Sequence, residues 1–141
     1  MTTELNQQNK QLVWDFWQSL DKAEPNQIRE AVHTVMANDL TWQGPDPINR
    51  LDGAESFIAE FWQPLLRSFP DLKRQTHLFC GGQSNGRIDG NIDLDGHMWV
   101  SGTGYLIGTF VEDYLTIPAT GGQVQIRWGE FCRLEGGKIL E

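Results

Sequence analysis

The stretch FIAEFWQPLLRSFPDLKRQTHLFCG, residues 57–81, decides the fold. Phe57, Ile58, Phe61, Trp62, Leu65, Leu66 and Phe69 recur at three- and four-residue steps, which makes one apolar stripe on a helix over 53–69. Pro64 falls inside that stripe. Proline lacks the amide hydrogen and crowds the preceding turn, so the helix should kink or restart there, and Pro70 should end it. After Asp71 the period changes from near 3.6 to 2, and the chain passes from helices to sheet.

Working outward from that switch, Leu5, Leu12, Val13, Phe16, Trp17 and Leu20 predict a first helix over 5–20. Ile28, Ala31, Val32, Val35 and Met36 predict a second over 25–38, with Pro25 in its first turn. Residues 40–44 read as a short strand ending in the Gly44-Pro-Asp-Pro47 turn. Beyond the switch, strands are expected over 73–81, 97–110, 123–134 and 138–140, with a polar connection over 83–96. Gly136-Gly137 suits a tight hairpin turn. Gly102, Gly104 and Gly108 within one strand predict bending or bulges. Helices followed by an antiparallel meander give an α+β architecture. The expected shape is a cone-shaped α+β barrel, three N-terminal helices on a strongly bent antiparallel sheet, with a hollow suited to a ligand.

The chain of 141 residues is expected to form one domain over 1–141. Lys and Arg number 11 against 19 Asp and Glu, a net charge of −8, which gives no footprint for nucleic acid or an anionic membrane. No apolar run is long enough to span a bilayer, and no basic region precedes an apolar stretch as in a secretory signal. Cys80 and Cys132 lie far apart without a CxxC partner, so buried free thiols are expected, in a reducing cytoplasm and without a metal site.

The strand 125–134 carries the most chemistry. Ile126, Trp128, Glu130, Cys132 and Leu134 share one face; Gln125, Arg127, Gly129, Phe131 and Arg133 share the other. Glu130 on an apolar face must be hydrogen-bonded, paired or partly protonated, because desolvation disfavours its charge. It is a candidate general base or acid, or a hydrogen-bond acceptor for a substrate; the alternative is a structural glutamate satisfied by an indole or a buried arginine. His77 alternates with Gln75 and Phe79, and His97 with Trp99, so His77 could face the same hollow as Glu130. It is the second catalytic candidate, the alternative being a hydrogen-bonded core histidine. Trp17, Trp42, Trp62, Phe79, Trp99, Tyr105 and Trp128 are candidates for lining the hollow around a flat, hydrophobic small molecule, though aromatic stripes also make ordinary core.

Other patterns fail on inspection. The acidic run 89–96 resembles a calcium loop, but with Gly96 at the sixth position the twelfth is Gly102 rather than a bidentate glutamate. Gly81-Gly82 and Gly121-Gly122 lack the Gly-Lys-Ser/Thr end of a phosphate loop.

Four stretches taken together resemble the SnoaL-like polyketide cyclase family, within the nuclear transport factor 2-like group. They are Phe57–Trp62 leading to Ser68-Phe-Pro-Asp-Leu72; Gly104-Tyr-Leu-Ile-Gly-Thr-Phe110; Ile117-Pro-Ala-Thr-Gly121; and Arg127-Trp-Gly-Glu-Phe131 with Gly137-Lys-Ile-Leu-Glu141. The resemblance implies the cone-shaped barrel, a homodimer across the sheet, and ring closure or isomerisation by acid–base chemistry without cofactor or metal. Two departures stand out. Family cyclases often carry a histidine where this chain has Tyr105-Leu106, and their catalytic aspartate lies just beyond the segment matching Lys138 to Glu141. The expectation is therefore either a piece of a longer protein or an unusually short last strand. The function expected is acid–base chemistry on a small carbonyl-bearing ring compound; the alternative is a non-catalytic small-molecule-binding or dimerisation domain.

Overall fold

The computed structural model describes residues 3–24, 26–93 and 95–141. Helix α1 (Thr3–Lys22) turns Val13, Phe16, Trp17 and Leu20 inward, and α2 (Ile28–Val35) buries Ile28 and Val32 beside it. The second helix is shorter than expected; Pro25 lies outside the described residues. A hairpin of β1 (Thr41–Gln43) and β2 (Arg50–Asp52) follows the expected turn; its second strand is too short to show a period in sequence.

The third helical region breaks up as its proline demands. It runs as α3 (Ala54–Ser56), a π-helical segment (Phe57–Trp62), and α4 (Gln63–Ser68) with Pro64 in its first turn. The amide of Gln63 reaches back to the Ile58 carbonyl, and the widened turn leads into the residue that cannot donate.

Four antiparallel strands in the order β3-β4-β5-β6 form the main sheet: β3 (Lys73–Gln83), β4 (Met98–Thr109), β5 (Gln123–Glu135) and β6 (Lys138–Ile139). Gly136 and Gly137 both take positive φ, 57° and 75°, as the expected tight turn between β5 and β6 requires. On β4, Met98, Val100 and Leu106 are buried toward the helices, as is Phe110 just past its end, while Trp99, Ser101, Thr103 and Tyr105 lie on the outer face. The helices and this inner face enclose one core, from Val13 and Trp17 through Ile58 and Trp62 to Val100, Trp128 and Ile139.

The glycines of β4 act by close approach. A Cβ on Gly104 would stand 1.8 Å from the Gln75 carbonyl oxygen, and one on Gly102 would stand 2.8 Å from the Trp17 ring. The register break lies instead in β3, between Thr76 and Leu78. That bulge governs the site.

Candidate functional site

Strand β5 places Trp128, Cys132 and Leu134 in the core and leaves Phe131 70% exposed on the outer face, so Glu130 points to the concave side. There its Oε2 accepts a hydrogen bond from Arg74 Nη1 at 3.0 Å, with the two side chains 31% and 7% exposed. The Arg74 guanidinium is sandwiched between two indoles, 4.6 Å from the Trp17 ring centroid and 4.4 Å from that of Trp128. Cation–π attraction and the ion pair together offset the desolvation of a buried arginine. Trp128 is fixed in turn by its Nε1 donating to the Gln75 carbonyl at 3.3 Å.

Two donors of this cluster, Arg74 Nε and Trp17 Nε1, are buried with no acceptor among the described residues. Below the pair, Cys132 Sγ lies 3.9 Å from Glu130 Oε1. Burial, reinforced by the Glu130 charge, pushes that thiol well above its ordinary value. A cleft of about 320 Å³ opens beside Arg74, lined by Trp14, Trp17, Gln18 and Asp21 of α1 and by Arg74 and Thr76 of β3. A second, wider groove runs between α1 and α2 and is lined by mixed polar and apolar side chains from Gln8 to Val35.

Of the residues singled out in the sequence, Glu130, Trp17, Trp128 and Phe79 come together. Phe79 stacks on Trp14 with ring centroids 5.1 Å apart and tilts against Trp17 at 5.5 Å. Trp42 and Trp62 belong to a separate cluster with Phe57 and Phe61 on the π-helical segment. Trp99 and Tyr105 occupy the outer face; Trp99 Nε1 donates to Ser84 Oγ at 3.2 Å, and Arg127 lies 5.0 Å over the Tyr105 ring.

His77 is corrected outright. The bulge adds one residue to β3 after Thr76, so Thr76 and Phe79 share the concave face while His77 and Leu78 stay outside. His77 is exposed, 5.6 Å from the Tyr105 ring, on the opposite side of the sheet from Glu130. The expectation for Cys80 also changes. Cys132 is buried and free, but Cys80 is exposed, opposite Ser101 on the outer side of β3. Among the described residues no three His, Cys, Asp or Glu side chains converge as metal ligands, and no helix is long and apolar enough to cross a membrane.

Arg74 and Asp21 were not singled out in the sequence. The signal for Arg74 was its alternation with Leu72 and Thr76, which put a cation in phase with a buried leucine. Asp21 sits four residues after Trp17, one helical turn along the same side of α1.

The fold has counterparts among solved structures. A candidate SnoaL-like polyketide cyclase from Jannaschia sp. CCS1 superposes with a TM-score of 0.69 at 18% identity, over 99% of this chain and 85% of that one. A nuclear transport factor 2-like protein of unknown function from Burkholderia pseudomallei gives 0.64 at 16% identity, over 99% and 87%. A candidate hydroxylase from Streptomyces galilaeus gives 0.61 at 15%, over 94% and 83%. At these identities the likeness concerns the fold, which hosts more than one chemistry. A sequence search of curated proteins returns no match. The sequence profile of the SnoaL-like domain matches residues 13–141, from the first core residue of α1 through the last strand, and the chain belongs to that family.

Proposed function

We propose that the concave face binds a small, mostly apolar, carbonyl-bearing ring compound and moves a proton on it without a cofactor. The observation that carries this reading is the Glu130–Arg74 pair, held at 3.0 Å between two indoles beside a cleft. Glu130 is the base: its carboxylate takes a proton from the carbon next to the carbonyl, and the electron pair moves onto the carbonyl oxygen. Arg74 is the cation that stabilises that developing enolate, in a setting of low polarity where a fixed charge acts strongly. Return of the proton at another carbon isomerises the ring; attack of the enolate on a second carbonyl closes one.

The test is turnover of candidate polyketide or ketosteroid compounds by wild type and Glu130→Gln, which keeps the shape and removes the base. Loss of about 10²–10⁴-fold in rate supports the reading. Undiminished turnover assigns Glu130 a structural role.

A second reading, a non-catalytic binding domain, is favoured by the same pair, since Arg74, with the Cys132 thiol, satisfies Glu130 as a link between strands. It expects ligand binding without turnover in both proteins. For assembly we propose a homodimer through the outer sheet face, where Phe131 and Leu78 are 70% and 67% exposed beside Arg127 and Tyr105. A light-scattering mass near 16 kDa at micromolar concentration removes that proposal.

A further inference from the structure

We infer that Cys132 is a positioning residue for Glu130, its buried S–H holding Oε1 while Arg74 holds Oε2, so that two strands fix the rotation of one carboxylate. This deepens the proposed function, resting on its assignment of Glu130 as the base, and gives a role to a side chain that the proposed reaction leaves unused.

The placement follows from the strand. Residues two apart on β5 share a face, so Cys132 stands beside Glu130 on the concave side. Its Sγ lies 3.9 Å from Glu130 Oε1, within reach of a sulfur hydrogen bond, and the residue is 2% exposed. Val100 opposite it on β4 and Leu134 beside it on the same face are both buried and apolar. Glu130 Oε1 is the acceptor that the structure offers this proton.

The thiol takes part as a donor and not as an anion. Burial first, and then the Glu130 charge, pushes it well above its ordinary value, so it keeps its proton at neutral pH. The groups that meet the carboxylate are the Arg74 guanidinium from β3 and this thiol from β5. Strand β4 contributes Gly102 there, without a side chain, and from α1 Asp21 lines the cleft beside Arg74.

The two donors act unequally. The arginine bond is charge-assisted and draws basicity from Oε2, whereas S–H is a weak donor that leaves most of it on Oε1. A carboxylate with a single anchor turns easily about its last torsion, whose wells are broad. The second anchor stops that turning at little cost to the base. A stronger donor in the same place would orient the group and weaken it.

The first test needs no substrate. The chain has two cysteines, so in a Cys80→Ser background the S–H stretching band in the infrared belongs to Cys132. That band should move to higher wavenumber in Glu130→Gln, where a neutral acceptor replaces a charged one. In protein carrying isotope-labelled glutamate carboxyls, the resonance lost in Glu130→Gln reports Glu130. Its titration should move up by roughly half a pH unit in Cys132→Ala, which removes a donor to the charged form, and return toward wild type in Cys132→Ser. A band indifferent to Glu130→Gln, or a titration indifferent to Cys132→Ala, overturns the inference. The infrared measurement leaves Cys132 in place, so it decides the matter even where Cys132→Ala fails to fold.

Turnover of candidate polyketide or ketosteroid compounds separates the positioning from the reaction. Cys132→Ala should lower kcat about tenfold with KM unchanged and move the acid limb of the rate to higher pH, Cys132→Ser recovering part of both. The expected spectra with no turnover by wild type leave the hold of Cys132 on the carboxylate standing and remove the proposed reaction. Glu130-dependent turnover whose kcat and acid limb ignore Cys132→Ala removes the positioning and keeps the reaction.

Discussion

Arg74 on β3 and Glu130 on β5 meet at 3.0 Å across the intervening strand β4. They can do so because β4 presents Gly102 opposite Glu130 and Gly104 opposite Trp128, so no β4 side chain stands on the concave face between them. The same glycines admit the Trp17 ring and the Gln75 carbonyl. One cluster thus joins α1, β3 and β5.

Removing one partner of this pair should cost more than removing both. Arg74→Met leaves a half-buried carboxylate uncompensated, and a loss of about 2 kcal/mol or more is expected in urea unfolding. Arg74→Met with Glu130→Gln should recover part of it, and a double-mutant cycle measures the coupling. Additive losses would refute the pairing as a stability element.

Two glycine substitutions should differ sharply. Gly104→Ala drives a Cβ to 1.8 Å from the Gln75 carbonyl oxygen, which only backbone movement can relieve. A loss of about 3 kcal/mol, or failure to accumulate folded protein, is expected. Gly129→Ala meets nothing within 4 Å and should stay within about 0.5 kcal/mol of wild type. Circular dichroism melts of the two variants provide the comparison.

Stability should fall on acidification through two carboxylates held below their ordinary values. Asp71 is lowered chiefly by the Thr109 backbone amide and then its hydroxyl, each 2.7 Å away. Glu55 is lowered by hydrogen bonds from His33, at 2.6 Å, and from Arg29. Because both folded values are depressed, their contribution is fully present above the ordinary values of 3.8 and 4.5 and disappears as pH falls through the folded ones. Asp71→Asn and Glu55→Gln should each flatten the acid limb of the urea midpoint plotted against pH. A limb unchanged in both variants would assign the acid sensitivity elsewhere.

The two thiols should separate kinetically. Cys132 is buried and its thiol held protonated by burial and the Glu130 charge, whereas Cys80 is exposed. A chromogenic disulfide reagent at neutral pH should titrate one thiol promptly in the native protein and two after denaturation. Two prompt thiols would mean that the core around Cys132 opens readily.

The order of helices and strands, the break at Pro64 and the Gly136-Gly137 turn were legible in the sequence, because each rests on local rules of period, proline geometry and glycine φ. Glu130, Trp128 and Cys132 on one face of β5 were legible for the same reason, since alternation is a property of a single strand. What lies opposite that face was decided by the tertiary structure. With Arg74 and Thr76 inside, alternation sets His77 on the outer face beside Gln75, and a one-residue bulge after Thr76 turned Phe79 inward and Leu78 outward; nothing local marks where a ladder slips. The division of the tryptophans into a core cluster around Phe57, a sandwich on Arg74 and an outer-face ring likewise depended on which elements pack together. Period tells a residue which way to face; only packing tells it what it meets.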